Sequence, residues 1–344
     1  MPHRDLVVIG ASAGGVEALK GLVRGLPPDL PATVLVALHL PSDGQTVMAD
    51  ILRRRCRLLV KDAVDGDPLE PGTVVVAQPD AHLMVVDGRI ALGRGAKENG
   101  HRPSHDAMLR SAALSHGSRA VGVILTGLLD DGAAGLRLVH RYGGACLVQS
   151  PDDAEFPSMP QHALSAVPTA RQFPIAELSE EVVRVVHGDS VPPVPEVSEE
   201  VRALDLVELR SALGEPPIHP DGTPLGTPST YGCPDCHGVL NEVHDGGTVR
   251  FRCRTGHAWT AESLLAQQGV QVEDALWTAL RILEERVQMS NQLAHVAESQ
   301  GRAWSGEMFR KRAAEADGSA EALRTLLLQQ VEQVSVASGD ASGP

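Results

Sequence analysis

Along the first half of the chain, short unbroken apolar runs alternate with longer segments in which apolar residues recur every three or four positions. The runs are 6–10 (LVVIG), 33–38 (TVLVAL), 73–77 (TVVVA), 120–126 (AVGVILT) and 145–149 (ACLVQ). A strand that is apolar on both faces is covered on both faces, so these five are predicted to be parallel strands of a buried sheet. The segments near 15–25, 45–56, 105–117 and 132–142 carry helical spacing and supply crossovers between them. The stretch HLMVVDGRIAL departs from this rhythm. Two short runs flank Asp87-Gly88, which predicts an antiparallel hairpin. Residues 1–190 therefore read as an α/β domain with a doubly wound, mostly parallel sheet.

The rhythm breaks after residue 190. Eight of the 24 prolines fall in 191–230, which reads as a linker with a short helix near 199–213. Residues 231–265 hold a cysteine cluster. Beyond them, Leu276, Leu280, Leu283 and Val287 form one apolar stripe, so 266–333 is predicted to be a helical hairpin, with breaks near Gly301 and Asp317. The polar, glycine-containing residues 334–344 are expected to be disordered.

Composition narrows the function classes. The 344 residues are 42% hydrophobic, enough for one sizeable core and a smaller module. The formal net charge of −14 disfavours a nucleic-acid-binding surface. The basic knot RRRCR (53–57) reads as a solvated helix end. No apolar run reaches membrane-span length and no charged-then-apolar leader opens the chain, so the expectation is a cytoplasmic protein without membrane insertion.

Three of the five cysteines cluster late. Cys233 and Cys236 form CPDC, and after sixteen intervening residues Cys253 and His257 form CRTGH. Two such knuckles supply the four ligands that tetrahedral zinc prefers, so a structural zinc ribbon is predicted, with His237 and His244 as competitors for the fourth position. The intervening EVHDGGTVRFRC reads as a hairpin turning at Gly246-Gly247. A full ligand set leaves no open position for catalysis by this metal, and so small a ribbon depends on it for its fold.

The first turn, GASAGG after the first strand, suits either a phosphate or a nucleophile. Against a phosphate, Ser12 fills the place of the middle glycine of a dinucleotide fingerprint. The second strand also ends in His39 where an acidic residue is required, and a Walker lysine is missing. For a nucleophile, Gly10-x-Ser12-x-Gly14 on a strand-to-helix turn lets a hydroxyl stand clear of the backbone. Ser12 follows strand one, His39 ends strand two, and Asp130 and Asp131 follow AVGVILT. The residue types of a catalytic triad thus occupy three strand ends.

Five ordered motifs, IGASAGG, LHLPSD, HRPSHDAM, LTGLLDDGAAG and FPSMPQHA, together resemble the catalytic domain of the CheB-type chemotaxis methylesterases, over about residues 5–187. The resemblance implies a doubly wound α/β enzyme with a Ser-His-Asp triad. It implies hydrolysis of glutamate methyl esters on receptors, and deamidation of receptor glutamines. Carried over by position, Ser12 is the nucleophile, His39 the general base and Asp131 the residue that orients it. The backbone amide of Leu128 falls where the family places an oxyanion contact, and that of Ala13 is a second candidate. Two departures from the family pattern touch that neighbourhood: Leu128-Leu129-Asp130 stands where Met-x-Asn is frequent, and Ala13 where threonine is frequent. No phosphoryl-accepting receiver precedes the first strand, so activity is expected to be indifferent to phosphoryl donors.

The sequence thus points to a serine esterase acting on a methylated receptor or other signalling protein, with a sensor kinase or a methyltransferase as companions and no nucleic-acid partner. The alternative is a non-catalytic signalling scaffold that uses the esterase fold and the ribbon for partner binding. Two separable modules are expected, the triad on one side of the linker and the ribbon on the other.

Overall fold

Seven strands pair side by side, all parallel, in the computed structural model, which describes residues 3–39, 47–188, 193, 195–219, 221–244 and 248–339, with side chains followed to residue 329. In chain order the first elements are β1 (Leu6–Ala11), α1 (Gly15–Arg24), β2 (Thr33–Leu38), α2 (Met48–Arg53), β3 (Leu59–Asp62) and β4 (Thr73–Val76). A hairpin of β5 (His82–Val86) and β6 (Arg89–Gly93) follows, then α3 (His105–His116), β7 (Ala120–Ile124), α4 (Ala133–Arg141) and β8 (Ala145–Gln149). The sheet is completed by α5 (Ser158–Ala166), β9 (Arg171–Phe173) and α6 (Ile175–Val186), and its strand order is β3-β4-β2-β1-β7-β8-β9.

The all-apolar strands divide their side chains between two cores by the period of two. Val7, Ile9, Val34 and Val36 face one side, where they pack with Leu19, Leu22 and Val23 of α1 and Leu178 and Val182 of α6. Leu6, Val8 and Leu35 face the other, with Met108 and Leu109 of α3 and Leu136 and Val139 of α4. The five strands and the hairpin read from the sequence all appear. The edge strands β3 (LVKD) and β9 (RQF) do not show in the pattern because they are short and carry charge on a partly solvated edge. The start of the predicted 45–56 helix lies outside the described residues. Its observed part is α2.

Residues 1–264 cluster as one unit and 265–344 as a second. The first includes what the sequence presents as linker and ribbon. The expected helix near 199–213 is α7 (Glu199–Leu213), but it is not a tether. Leu209 and Ala212 pack on Met84 and Ala107, and Tyr142 Oη donates to Asp205 at 3.0 Å. Prolines signal that regular structure is interrupted, yet say nothing about whether the pieces between them dock. The ribbon is a four-stranded antiparallel sheet of β10 (Thr227–Gly232), β11 (Val239–His244), β12 (Val249–Cys253) and β13 (Ala258–Thr260), in that order. β11 and β12 pair antiparallel as predicted, although the turn at Gly246-Gly247 lies outside the described residues.

The helical hairpin is α8 (Ala261–Ser299) and α9 (Ala303–Gly339), broken at Gly301. Leu276, Leu280 and Leu283 pack with Ala320, Leu323 and Leu327. The second break expected near Asp317 is absent. A lone glycine in a helix costs only about 1 kcal/mol against alanine, and the Ala320 and Leu327 contacts bind the helix on that side of it. Residues 334–339 continue α9 rather than forming the expected unordered tail, and 340–344 lie outside the described residues.

Candidate active site

The sheet order puts the carboxyl ends of β2, β1 and β7 next to one another, where an open parallel sheet binds ligands. Backbone bonds carry the register past the strand ends into the loops. His39 N donates to Ala11 O at 3.3 Å, Ser12 N to Thr126 O at 3.0 Å, and Leu125 N to Gly10 O at 2.9 Å. Gly14, at φ +71°, turns the chain from β1 into α1. Ser12 therefore sits at the N-terminal end of that helix, whose amides favour negative charge.

These loops bring the three sequence candidates together. Ser12 Oγ lies 3.1 Å from His39 Nδ1, and His39 Nε2 lies 2.8 Å from Asp131 Oδ2. A carboxylate only accepts, so Nε2 carries the proton and Nδ1 presents its lone pair to the hydroxyl. Asp131 is almost fully buried and is surrounded by donors. Oδ2 also accepts from His105 N at 2.7 Å, and Oδ1 accepts from Ser104 Oγ at 2.9 Å, Asn99 Nδ2 at 3.0 Å and Asp106 N at 3.4 Å. Burial alone would raise the Asp131 carboxyl, but the His39 hydrogen bond and the neighbouring imidazoles hold it well below the usual range. Asp130, its sequence neighbour, points elsewhere: its Oδ1 accepts from Thr260 Oγ1 at 2.9 Å and Ser263 Oγ at 2.6 Å.

His39 is also held by stacking. Its ring lies between His101, at 3.7 Å and 11°, and His105, at 4.0 Å and 8°. Burial and the adjacent His105 push its pKa down to about 3, against the pull of Asp131 in the other direction. Burial likewise lowers His101 and His105. The imidazole is thus kept neutral, with Nδ1 able to accept a proton from Ser12. Gly10 makes room for this stack: a Cβ there would come within 2.8 Å of His105 Cγ.

Ala13 follows the serine, and Gly127, next to Leu128, comes close to it, since a Cβ there would lie 2.8 Å from Ser12 Cβ; among the described residues neither the Leu128 nor the Ala13 backbone N–H donates to a protein acceptor. The loop bearing Leu128 is tied on both sides. Gly127 N donates to Phe156 O at 3.0 Å, and Ser158 Oγ donates to Leu129 O at 3.1 Å. Leu129 takes a left-handed φ of +58°, and the Leu128 side chain is exposed. Such an arrangement can attack a carbonyl, shuttle one proton and receive an oxyanion.

Asn99, His101, Ser104 and His105 were not assigned roles from the sequence, although the last three lie in the motif HRPSHDAM. The signal was there as a dense polar stretch, 98–106, directly before a buried helix. Its meaning depended on β6 and α3 folding back over the sheet.

In the ribbon, the Sγ atoms of Cys233, Cys236 and Cys253 and a ring nitrogen of His257 lie within 4.8 Å of one another. Cys236 and Cys253 are 3.6 Å apart, near the edge of about 3.8 Å implied by metal–sulfur bonds of about 2.3 Å in a tetrahedron. The donor set fits zinc. His237 and His244 are not part of it.

The family model described as CheB methylesterase matches residues 7–182 of the 344. The protein-glutamate methylesterase/protein-glutamine glutaminase of Thiobacillus denitrificans is 38% identical over 190 residues, covering 54% of this chain and 53% of that one. The protein of the same name from Yersinia pestis is 39% identical over 169 residues, 48% of each. The chain therefore spans about half the length of the curated relatives it matches. The crystal structure of the Thermotoga maritima CheB methylesterase catalytic domain aligns with a TM-score of 0.51 at 31% identity, over 53% of this chain and 98% of that one. Among the described residues, no helix is long and apolar enough to cross a membrane.

Proposed function

The chain belongs to the CheB methylesterase family, and from that footing we propose that it is a serine esterase hydrolysing glutamate methyl esters on a receptor or other signalling protein. The observation that carries this reading is the unbroken hydrogen-bond path from Ser12 through His39 to Asp131. Ser12 Oγ attacks the side-chain ester carbonyl as its proton passes to His39 Nδ1. The N–H groups of Ala13 and Leu128 receive the oxyanion. The carbon–methoxy bond then breaks, His39 returns the proton to the leaving oxygen, and methanol departs from an acyl-Ser12. Water, deprotonated by His39, attacks the acyl carbon, and Ser12 leaves with the proton, freeing the glutamate carboxylate. Asp131 stays ionised throughout and balances the imidazolium. With a glutamine side chain the same steps release ammonia, which is the second activity in the relatives' names.

The ester consumed here has to be made by a methyltransferase acting on glutamate carboxylates, which makes such an enzyme the natural companion. We assign the protein to chemotaxis-type receptor signalling in the cytoplasm, where the ribbon thiols stay reduced. We further propose that Cys233, Cys236, Cys253 and His257 hold a structural zinc ion, which cross-links the ribbon and takes no part in the reaction.

A fluorophosphonate probe tests the nucleophile, and methanol release from a methylated receptor fragment tests the substrate. Ser12→Ala should fold normally, escape labelling and lose about 10⁴-fold or more in turnover. Wild-type protein that neither takes the label nor releases methanol would contradict the reading.

A further inference from the structure

Asn99 joins the ribbon to the triad carboxylate. Its side chain and backbone are 4% exposed, and every polar group of the amide is engaged. On the ribbon side, Asn99 N donates to Ala258 O at 2.7 Å, and Asn99 Oδ1 accepts from Thr260 N at 2.9 Å. On the other side, Nδ2 donates to Asp131 Oδ1 at 3.0 Å and to Asp106 Oδ2 at 3.1 Å. An N–H on one side and two carboxylates on the other fix the amide orientation. The backbone takes a left-handed φ of +52°, which asparagine and glycine tolerate.

The ribbon reaches further into this turn. Ala258 N donates to Lys97 O at 3.2 Å, so β13 runs as a short parallel partner of 97–99. The Trp259 ring lies over Gly100, where a Cβ would sit 3.5 Å from it. The next residue, His101, stacks on one face of His39. β13 in turn pairs with β12 through Arg250↔Thr260, Phe251↔Trp259 and Arg252↔Ala258. Cys253, which ends β12, and His257, which precedes β13, are two of the four metal ligands, and Cys253 N donates to His257 O at 3.0 Å.

We propose that Asn99 is a positioning residue through which the metal-bound ribbon aligns Asp131 with His39, so that esterase activity depends on a metal lying outside the chemistry. This rests on the esterase reading above. Asp131 Oδ1 has two other donors, Ser104 and the long bond from Asp106 N, so the carboxylate loosens without Asn99 but is not abandoned. A misplacement of about 1 Å at such a site costs on the order of 10²-fold in rate. The expected loss is therefore about 10- to 100-fold, well short of the ~10⁴-fold that follows loss of the carboxylate itself. It falls on kcat, because Asn99 touches no substrate.

The test uses the full chain and Asn99→Gly, which keeps the left-handed backbone and its bond to Ala258 while removing the side chain. Hydrolysis of a small methyl ester should show kcat down about 10- to 100-fold with KM unchanged. Asn99→Asp keeps the acceptor but sets a third carboxylate beside Asp131 and Asp106, and should be slower still. Stripping the metal with a chelator, with metal content measured, should bring wild type down to the Asn99→Gly level. It should leave Asn99→Gly nearly unchanged, since both perturbations act through one path. The far-downfield proton resonance of His39 Nε2–H against Asp131 should shift or vanish in Asn99→Gly and in stripped wild type. Unlike the rates, this readout does not depend on any substrate.

An undisturbed resonance in both samples would overturn the proposal. So would full kcat in Asn99→Gly, equal losses on stripping in both proteins, or a protein isolated without bound metal. Ester hydrolysis that survives Ser12→Ala would instead condemn the esterase reading, leaving the resonance to judge Asn99.

Discussion

Adjacent carboxylates Asp130 and Asp131 do unrelated jobs because the chain points them in different directions. Asp131 faces His39 and a shell of donors, whereas Asp130 holds the hydroxyls of Thr260 and Ser263 at the start of α8. Asp131→Asn would put an amide N–H among groups that all donate and would favour the wrong His39 tautomer. A loss of ~10⁴ in kcat is expected with the fold intact. Asp130→Asn keeps an acceptor for both hydroxyls and should retain kcat within a few-fold. Steady-state rates of the two variants check the assignment, and reversed severities would refute it. His39 gives a prediction in pH. Its native pKa of about 3 lies below the ordinary value near 6.5, so between those values the unfolded chain binds a proton that the native one refuses. Stability is present in full above about 6.5 and is lost as pH falls toward 3, while the imidazole stays neutral and competent as a base. Imidazole ¹⁵N shifts should be flat from pH 7 to 5 while the melting temperature drops. A His39 titration near 6.5 would contradict this.

At the scale of elements, the site is made by strand ends and the glycines that let side chains crowd them. β1 passes so close under α3 that Gly10 leaves no space for a Cβ, and the atom it would strike is the ring of His105. Gly10→Ala should therefore displace His105, and through the stack His39, without touching any reacting atom. The expectation is a kcat lower by on the order of 10²-fold together with a lower melting temperature, since a buried ring has to leave its rotamer. Unchanged kinetics in a well-folded variant would show that the stack does not fix the base. The α-helical elements were legible for the opposite reason. α7 and the α8–α9 pair announce themselves by spacing, because their apolar faces recur within one segment.

At the scale of the molecule, the ribbon is fastened to the α/β part by buried charge. Glu98 accepts from Arg110 at 2.8 and 3.1 Å, from Arg252 at 3.1 Å and from Arg250 at 3.3 Å, and Glu208 of α7 takes up the same three arginines. Two carboxylates serve three guanidiniums, all nearly inaccessible to water. Removing one carboxylate leaves uncompensated buried charge, which costs about 3–5 kcal/mol. Glu98→Ala should lose stability on that scale in urea unfolding. It should also shift tryptophan emission to the red, because Trp259 is buried at this junction while Trp277 and Trp304 are already exposed. Wild-type stability in this variant would mean that the cluster does not hold the ribbon.

The candidate site residues were readable in order along the chain because their signals are local. A serine in a glycine-flanked turn, a histidine ending a strand, an aspartate opening a helix and four candidate metal ligands in two knuckles each need only a few neighbours to be recognised. The strands, the hairpin at Asp87-Gly88 and the helix at 199–213 were readable because burial imprints a period on a segment. What no local pattern could carry was the set of pairings between distant segments. The choice of Asp131 over Asp130 came from the resemblance, and its physical reason is the rotation of one loop. The stacking of His101 and His105 on His39 depends on β6 and α3 closing over the sheet. The prolines between 191 and 230 mark interruptions, which suggested separable modules. Glu98, Asn99 and Asp130 instead bind β12, β13 and Ser263 directly to the site. Hydrogen bonds and ion pairs across more than a hundred residues leave no periodicity behind, so the sequence by itself determined the elements and the candidate residues, and only the tertiary structure decided that ribbon and α/β domain pack as one unit.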